Sequence, residues 1–327
     1  MLSVALCTYN GERYIEEQLQ SILDQTLPVD EILVCDDGSI DDTIPILTAL
    51  KEKYSDLINI VVNKTQKGAR ENFLSAIKLC HGDFIFLCDQ DDLWLPHKVE
   101  TICNYFCKHP SIETVFTNAY LINEEGATIG TGVTLWDYFF DRTSRKRCDK
   151  GMMVEEFCTG SHATGATMAF RKRLIERFSP LHNDIWHDEM IAMTSVAFHS
   201  LGYIEEPLIK YRIHYGQQIG VPNSNENIIT KDYRQPLLPH KKFSAFLNNK
   251  EDIKRIKFLY TRCHSKHQLS GCIAMLIHLA SYIKYYGGYG LSFLLYDISA
   301  SFKYSLFRIS RKIHKCFPSS SATEIQR

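Results

Sequence analysis

The sequence predicts an α/β fold with a mostly parallel, doubly wound central sheet, and three observations lead to it. In the first half of the chain, short β-branched or apolar runs alternate with helical patterns, which is typical of parallel sheets. Polar residues directly follow three of these runs, and doubly wound sheets bind their ligands at that end of the strands. The 327 residues are 45% hydrophobic and 23% charged, which excludes collagenous, disordered and small disulfide-stapled proteins.

Hydrophobic periodicity divides the first half into four strands and three helices. The predicted strands are Leu2 to Thr8, Glu31 to Cys35, Leu57 to Asn63 and Phe84 to Cys88. The predicted helices are Tyr14 to Gln25, Thr43 to Lys53 and Asn72 to Cys80. Farther along, the pattern predicts strands over Thr114 to Leu121 and Thr167 to Phe170 and a helix over Glu189 to His199. A βαβαβαβ unit is therefore expected before a less regular second half.

Charge and cysteine content point to a cytoplasmic protein with two chemically different parts. Residues 1 to 249 hold 24 basic and 34 acidic residues, whereas residues 250 to 327 hold 13 and 4, which predicts different partners for the two parts. The eleven cysteines are an odd number without a Cys-x-x-Cys pair, which favours reduced, buried thiols. The first residues lack the basic segment of a secretory signal.

The C-terminal part combines basic and aromatic residues. We expect a linker over 221 to 242 and helices over 243 to 327. The uncharged stretch from His267 to Ile283 is shorter than the roughly 20 apolar residues that cross a bilayer. The aromatic and basic residues that follow favour a helix lying on an anionic membrane surface. A helical hairpin packed on the main domain is the alternative.

The segment Asp89-Gln90-Asp91-Asp92 follows the fourth predicted strand. Two carboxylates separated by one residue at a strand end can face the same divalent cation, and Mg²⁺ is commonly held by one or two carboxylates together with substrate phosphates. A solvated turn is the alternative, but the buried strand before it favours a ligand site. The segment therefore predicts a metal that also binds a phosphate-bearing molecule.

Two other polar segments are compatible with a nucleotide. Asp36-Asp37-Gly38-Ser39 follows the second strand, where it could form a tight turn and helix cap or hold a nucleoside through Asp37. The ring of Tyr9, after the first strand, is suited to stacking on a base. Arg70 lies at a predicted helix start, where a cation is unfavourable unless an anionic ligand is near.

Taken together, the motifs resemble those of family 2 glycosyltransferases, which have a Rossmann-like glycosyltransferase A-type fold. The resemblance covers residues 2 to 215 and rests on six motifs in the family's order. These motifs are Thr8-Tyr9-Asn10-Gly11, Asp36-Asp37-Gly38-Ser39, Asp89-x-Asp91-Asp92-x-Trp94-x-Pro96, Gly165-Ala166-Thr167-Met168-Ala169-Phe170, His187-Asp188 and Tyr211-Arg212-x-His214. Ala166 departs from the pattern, since cysteine often stands there.

The resemblance implies the site residues. Asp188 would be the catalytic base, with Glu189 as its rival. Mg²⁺ or Mn²⁺ would be held by Asp89, Asp91 and His214. The expected contacts to the nucleotide sugar and acceptor are Cys7, Thr8, Tyr9, Asn10, Asp37, Arg70, Asp89, Gln90, Trp94, Gly165, Ala166, Thr167, Glu189 and Arg212.

The implied activity is inverting, metal-dependent transfer of a sugar from a nucleoside-diphosphate sugar, dTDP-rhamnose or a UDP-hexose, to a hydroxyl of a surface glycan or lipid-linked precursor. Residues 1 to 220 would be the catalytic domain, with a nucleotide-sugar half over about 1 to 110 and an acceptor half over about 111 to 220. The protein would lie on the cytoplasmic face of the cell membrane, without a nucleic-acid partner. A non-catalytic binding or anchoring protein, or an aspartate-nucleophile phosphohydrolase, would be the alternative.

Overall fold

The protein is described here by a computed structural model, which covers residues 1–130, 132–139, 163–177, 186–198 and 200–217. Its centre is an eight-stranded sheet with the strand order β3-β2-β1-β4-β7-β6-β8-β5. The strands are β1 (Leu2–Thr8), β2 (Glu31–Asp36), β3 (Ile58–Val62), β4 (Phe84–Asp89), β5 (Leu93–Trp94), β6 (Thr114–Ile122), β7 (Ala169–Arg171) and β8 (Leu201–Arg212).

Helices connect these strands. The α-helices are α1 (Ile15–Leu23), α2 (Thr43–Lys53), α3 (Ala69–Leu79), α4 (Lys98–Lys108), α5 (Leu135–Phe139) and α6 (His187–Ala197). Two 3₁₀ turns flank β7, at Gly165–Thr167 and Lys172–Arg177. In α1, the apolar residues Ile15, Leu19 and Ile22 recur at helical spacing, and all three are buried in the core.

The first four strands form the parallel half of the sheet. β1 pairs in parallel with both β2 and β4, and β2 pairs in parallel with β3. β1, β2 and β4 are buried, mostly apolar runs, as expected of strands covered on both faces, whereas β3 at the edge is largely exposed. The pairing places Thr8 beside Asp36 and Cys7 beside Asp89. The polar segments after these strands therefore meet at one edge of the sheet.

The second half of the sheet is mixed. β7 is antiparallel to both β4 and β6, β6 is parallel to β8, and the short β5 is antiparallel to β8 at the outer edge. The pairing of β6 with β8 has an irregularity around Asn118, where the register shifts. Because β8 ends at Arg212, it delivers that residue and His214 to the edge that carries the end of β4.

The structure confirms the predicted fold class. β1 and α2 have the predicted bounds, and the other predicted elements in the described ranges differ by a few residues at their ends. The predicted strand from Thr167 is shorter, because a 3₁₀ turn occupies Gly165–Thr167 before β7 begins. The two-residue β5 was not predicted, since so short a run has no periodicity.

The chain divides into two compact units, Met1–Pro236 and Leu237–Arg327. The predicted linker and C-terminal helices lie outside the described residues, and the predicted domain bounds stay a prediction. Within the described part of the chain, no helix has the length and apolar character needed to cross a bilayer. In the same part, the cysteines Cys7, Cys35, Cys80, Cys88, Cys103 and Cys107 are free thiols.

Candidate functional site

Asp36, at the end of β2, is a structural carboxylate. It accepts hydrogen bonds from Thr8 Oγ1 at 2.7 Å, from the Gly38 N–H at 3.0 Å and from the Ser39 N–H at 2.8 Å. The Ser39 hydroxyl donates as well. Gly38 has φ +86°, a conformation that glycine adopts without strain. Asp36 therefore fixes the turn that carries the second motif and ties it to β1.

Asp37 is also buried and hydrogen-bonded within the chain. It is 3% exposed, and its carboxylate accepts from Asn63 Nδ2 at 3.0 Å and from the Lys67 and Gly68 N–H groups at 2.8 Å each. Asn63 in turn donates to Asn72 on α3. The predicted nucleoside contact of Asp37 stays a prediction, and these bonds show that the carboxylate already organises the loop before α3.

Gln90 holds the end of β1 through two backbone bonds to Tyr9. Gln90 Oε1 accepts from the Tyr9 N–H at 2.8 Å, and Gln90 Nε2 donates to the Tyr9 carbonyl at 3.1 Å. Gly11 lies against the same amide, because a Cβ at Gly11 would come within 2.3 Å of Gln90 Oε1. The first and third motifs are thus locked together, with the Tyr9 ring half-buried beside them.

Asn10 joins the first motif to the second. Its backbone N–H donates to Ser39 Oγ at 2.8 Å, and its side-chain oxygen accepts from the Ile40 N–H at 3.0 Å. It has φ +49°, a left-handed conformation that asparagine tolerates better than most residues. Because the side-chain oxygen is bonded within the chain, the exposed Asn10 can offer a ligand only its side-chain amide nitrogen.

The carboxylates at the end of β4 differ from those at the end of β2, because they lie in an apolar environment close to other negative charges. Burial, followed by the charges of Asp91 and Asp188, raises the pKa of Asp89 to about 8. Burial and the charges of Asp91 and Asp89 raise the pKa of Asp92 well above its ordinary value. Asp92 Oδ1 accepts the Arg212 N–H, whereas Oδ2 has no hydrogen-bond partner among the described residues. This cluster has an excess of negative charge.

Asp91 pairs with His214. His214 Nε2 lies 2.8 Å from Asp91 Oδ2, and His214 Nδ1 accepts the Gly216 N–H at 3.2 Å. Because Nδ1 accepts, the ring proton lies on Nε2 and points at Asp91. Both side chains are mostly buried, at 12% and 16% exposure. The two predicted metal ligands therefore meet in the structure through a hydrogen bond.

Arg212 holds the backbone around Asp91. It is 1% exposed, and its guanidinium donates to the carbonyls of Asp91 at 2.7 Å, Asn123 at 3.3 Å and Glu124 at 3.0 Å. It also donates to Glu17 Oε2 at 2.9 Å. The predicted contact of Arg212 with the substrate stays a prediction, while these bonds give it a positioning role for the loop that carries Asp91.

Trp94 and Lys98 are buried side chains of the segment that follows the carboxylates of β4. Trp94 is 4% exposed on β5, and Lys98 is 0% exposed on α4 with Nζ 3.8 Å from the centroid of the Trp94 ring. Lys98 Nζ also donates to the Ala166 carbonyl at 2.9 Å. Burial lowers the pKa of Lys98 to about 7, and the charges of Asp92 and Asp89 oppose that shift. Trp94 thus supports Lys98, and its predicted contact with a ligand is untested.

Asp188 lies in the first turn of α6 and faces the 3₁₀ turn at Gly165. Asp188 Oδ2 accepts the Gly165 N–H at 3.1 Å, and Oδ1 accepts the Glu189 N–H at 2.8 Å. A Cβ at Gly165 would lie 3.5 Å from Asp188 Oδ2 and 3.3 Å from His187 Nε2, so the turn packs closely against both side chains. The same turn is joined to β4, because the Leu87 N–H donates to the Met168 carbonyl at 3.0 Å, so the predicted base and the predicted metal ligands lie at the same edge of the sheet.

The residues beside Asp188 are buried. The His187 ring stacks on Phe73 of α3 at 4.1 Å, and burial lowers its pKa, which favours the neutral ring. Its two nitrogens have no hydrogen-bond partner in the described part of the chain. Burial and then the charge of Asp188 raise the pKa of Glu189 to about 6. Arg70, in the first turn of α3, pairs with the neighbouring Glu71.

The remaining predicted residues are buried parts of this edge. Cys7 lies beside Asp89 in the sheet, and burial raises its thiol pKa well above the ordinary value. Ala166 contributes its carbonyl to Lys98, and Thr167 donates its hydroxyl to the Thr164 carbonyl at 2.8 Å. The structure therefore brings the predicted residues of β1, β4, α6 and the end of β8 to one edge of the sheet.

The donor set fits a divalent cation that is also bound by a ligand's phosphates. Within the described ranges, no group of three or more histidine, cysteine, aspartate or glutamate side chains could hold a metal on its own. Asp89 and Asp91 supply carboxylates at the end of β4, and Asp92 adds an oxygen that has no hydrogen-bond partner among the described residues. A hard cation prefers such oxygen ligands.

The sequence analysis did not identify Lys98, Tyr14 and Asn63 as residues of this site. Lys98, Ile102 and Phe106 are spaced four apart and all lie on the buried face of α4, so this spacing could have revealed the buried lysine. Tyr14 packs against His214 and Arg212, and its hydroxyl has no hydrogen-bond partner among the described residues. Asn63 gave no signal, because its contact with Asp37 spans 26 positions.

Comparison with known proteins extends these observations. The solved structure of TarS residues 1–349 from S. aureus, in complex with UDP-GlcNAc, is similar with a TM-score of 0.52 and 16% identity, covering 94% of this chain and 92% of that one. At this level of identity, the similarity concerns the fold alone, and it confirms the predicted glycosyltransferase A-type architecture.

Curated relatives cover different parts of the chain. The chondroitin synthase of Escherichia coli is 32% identical over 158 residues, which are 48% of this chain and 22% of that protein. The putative glycosyltransferase EpsE of Bacillus subtilis is 34% identical over 38% of this chain and 45% of its own length. The dTDP-rhamnosyl transferase RfbG of Shigella flexneri is 29% identical over 66% of this chain and 73% of that protein. The chain thus spans less than half the length of the first two.

The family model described as "Glycosyl transferase family 2" matches residues 3–178, which is more than half of the chain. The matched range contains the three strand-end motifs and the 3₁₀ turn that contacts Asp188. It confirms the family that the sequence motifs indicate. The chain belongs to glycosyl transferase family 2.

Proposed function

We propose that this protein is an inverting, metal-dependent glycosyltransferase that moves a sugar from a nucleoside-diphosphate sugar to a hydroxyl of a cell-surface glycan or a lipid-linked precursor. One observation carries the proposal. Asp188, the predicted base, accepts the Gly165 N–H at 3.1 Å, and the turn that begins at Gly165 is joined to β4, the strand that ends at the predicted metal ligand Asp89, by the bond from the Leu87 N–H to the Met168 carbonyl. A sugar bound between these groups would have the leaving diphosphate on one side and the attacking hydroxyl on the other.

The donor would bind along the ends of β1, β2 and β4. Tyr9 is half-buried there and offers its ring to a base, while the loop that Asp37 organises is suited to the ribose. Asp89 and Asp91 would hold Mg²⁺ or Mn²⁺, with His214 either as a third ligand or as the donor that orients Asp91. The cation, when bound, would neutralise the charge of the departing diphosphate.

Asp188 would accept the proton of the acceptor hydroxyl. The acceptor oxygen forms a bond to the anomeric carbon as the bond from that carbon to the diphosphate oxygen breaks, and the hydroxyl proton passes to an Asp188 carboxylate oxygen. This single displacement inverts the anomeric centre. The hydrogen bond from the Gly165 N–H to Oδ2 and that from the Glu189 N–H to Oδ1 hold the carboxylate in one orientation.

Asp188 is a better candidate for the base than Glu189. Glu189 is only 9% exposed, so its carboxylate is less accessible to an acceptor hydroxyl. Asp188 is more exposed and faces the turn next to the carboxylates of β4. Glu189 would therefore shape the acceptor side of the site.

For the donor, we favour dTDP-rhamnose, with a UDP-hexose as the alternative. The support is the similarity to RfbG, which is named as a dTDP-rhamnosyl transferase and is matched over 73% of its length. For the acceptor, the support is the basic and aromatic composition of residues 250 to 327, which suits an anionic membrane surface at the cytoplasmic face. That segment lies outside the described residues.

A thermal-shift screen tests the proposal. Purified full-length protein is heated with UDP, dTDP, GDP or CDP, each with Mn²⁺ and with EDTA, because a ligand that binds only the folded state raises the melting temperature. The proposal predicts a shift by dTDP or UDP that requires Mn²⁺, followed by transfer from the matching sugar donor. Absence of a shift with every nucleotide at saturating concentration would contradict it.

A further inference from the structure

Tyr14, immediately before α1, is a buried aromatic residue to which the reaction proposed above gives no role. The residue is 7% exposed, and its ring centroid lies 5.2 Å from that of His214 and 4.6 Å from the guanidinium carbon of Arg212. At these distances an aromatic ring attracts a guanidinium and packs favourably against a second ring. The Tyr14 hydroxyl has no hydrogen-bond partner among the described residues, so these contacts belong to the ring.

Both residues that contact the Tyr14 ring also hold Asp91. His214 Nε2 donates to the Asp91 carboxylate at 2.8 Å, and Arg212 Nε donates to the Asp91 carbonyl at 2.7 Å. The first bond orients the side chain of Asp91, and the second fixes its backbone. Tyr14 is therefore packed against two supports of a predicted metal ligand.

The backbone around Tyr14 is fixed by hydrogen bonds, so its ring is a firm support. The Tyr14 N–H donates to the Gly11 carbonyl at 3.0 Å, and the Tyr14 carbonyl accepts the Gln18 N–H at 3.0 Å. Glu17, three positions after Tyr14 and therefore on the same side of the helix, accepts from Arg212 Nη2 at 2.9 Å. The start of α1 thus packs on the end of β8 through ring contacts and an ion pair.

The His214 side chain depends on such a support. It lies two residues beyond the end of β8, and rotation about its two side-chain bonds would break the hydrogen bond to Asp91. The Gly216 N–H donates to His214 Nδ1 at 3.2 Å, but Gly216 belongs to the same loop and is itself exposed. The Tyr14 ring lies against the imidazole at an interplanar angle of 52°, so it opposes the rotation from a buried part of the fold.

We propose that Tyr14 is a positioning residue whose ring holds the His214 imidazole against Asp91 and so prepares the Asp91 carboxylate for the metal-bound nucleotide. The part that concerns the metal rests on the proposed function, whereas the part that concerns His214 is independent of it. Tyr14 acts through its neighbours, and it contacts neither the cation nor the sugar. Replacing a residue that orients a metal ligand typically weakens metal binding by about 10 to 100-fold.

The tests compare Tyr14→Phe, Tyr14→Leu and Tyr105→Leu with the parent, all in the full chain. Phenylalanine keeps the ring and removes only the hydroxyl, whereas leucine removes the ring. Tyr105 is a matched control, because its ring also packs against a histidine ring, that of His109 at 4.4 Å. A Cβ at Gly202 would lie 2.8 Å from the Tyr105 hydroxyl, so this pair lies near the beginning of β8 and not near the end that precedes His214.

The first test records the ¹⁵N NMR signals of the His214 ring in EDTA, assigned by their loss in His214→Gln. At about pH 8.5 an ordinary imidazole is neutral, and its two nitrogens then differ according to which one carries the proton. The parent, Tyr14→Phe and Tyr105→Leu should show His214 protonated on Nε2. Tyr14→Leu should show averaged signals, because the ring is free to leave Asp91. A His214 that stays protonated on Nε2 in Tyr14→Leu would overturn the proposal.

The second test measures the Kd of UDP and dTDP by calorimetry in the presence of Mn²⁺. Tyr14→Leu should bind the nucleotide about tenfold more weakly or worse, while Tyr14→Phe and Tyr105→Leu should bind like the parent. Parent-like binding by Tyr14→Leu, or an equal loss in Tyr14→Phe, would overturn the effect of the ring on the metal site.

The two tests separate this inference from the proposed function. If the parent binds no nucleotide with Mn²⁺, the proposed function fails, but the NMR signals of His214 still decide whether Tyr14 holds that ring. If Tyr14→Leu does not fold, Tyr14→Met replaces it, because methionine fills more of the space without an aromatic face, and the same results are expected.

Discussion

The ends of β2 and β4 both carry adjacent aspartates, yet their carboxylates are in opposite situations. Asp36 and Asp37 accept hydrogen bonds from backbone N–H groups and from Thr8 and Asn63. Asp92 is buried and Asp89 is partly buried, both lie next to other carboxylates, and their pKa values are raised. The first pair therefore builds a loop, whereas the second pair has the uncompensated charge that the proposed metal would neutralise.

The largest expected effect is on catalysis and comes from Asp188→Asn. The amide keeps an oxygen for the Gly165 N–H but cannot accept a proton, so kcat should fall by about 10² to 10⁴-fold with donor binding retained. Steady-state kinetics and nucleotide titration measure the two effects. Glu189→Gln is the control and should retain most activity. The reverse result, with only Glu189→Gln inactive, would assign the base to Glu189.

The two aspartate pairs should respond oppositely to neutralisation. Asp36→Asn replaces an acceptor of several buried hydrogen bonds and should cost about 2–4 kcal/mol of unfolding free energy. The raised pKa of Asp92 means that its ionised form costs stability above the unfolded pKa, so Asp92→Asn should stabilise the protein at neutral and alkaline pH. This gain should vanish below about pH 4. Urea unfolding across pH measures both changes, and losses of equal size would remove the distinction.

Arg212→Lys should weaken the hydrogen bonds that hold the backbone around Asp91. A lysine cannot reproduce bonds to three carbonyls and to Glu17, so we expect a loss of about 2 kcal/mol in unfolding free energy and weaker Mn²⁺ binding. Arg13→Lys serves as the control, because Arg13 forms an exposed pair with Glu124 and its replacement should change little. Chemical denaturation and calorimetry measure the effects. Equal effects of both substitutions would contradict the positioning role of Arg212.

The smallest expected effect is the pH dependence of Glu189. Its folded pKa of about 6 lies above the ordinary value of 4.5, so its ionisation costs stability as pH rises through this range. Glu189→Gln should therefore stabilise the protein by about 1 kcal/mol above pH 6, with no gain below about pH 4.5. Unfolding experiments between pH 4 and 8 measure this difference. A gain that is constant with pH would show that ionisation is not its cause.

Local sequence patterns predicted much of the fold, because β1 to β4 are mostly apolar runs and the helices between them have regular apolar spacing. The same runs also predicted that the polar segments after them meet at one edge of the sheet, which the strand pairing confirms, and doubly wound sheets bind ligands at that edge. The partners of the polar residues could not be predicted, because contacts such as Arg212 with Glu17 span 195 positions. The satisfied state of Asp37 and the burial of Lys98 likewise depend on packing between elements that are distant in sequence.

The central claim is that the carboxylates at the end of β4 bind the metal-bound nucleotide. Calorimetric titration of dTDP and UDP in the presence of Mn²⁺ tests it on the parent, on Asp91→Asn and on Asp83→Asn, an exposed aspartate just before the other end of the strand. The account predicts that Asp91→Asn loses Mn²⁺-dependent binding while folding normally, and that Asp83→Asn binds like the parent. Parent-like, Mn²⁺-dependent binding by a folded Asp91→Asn protein would contradict it.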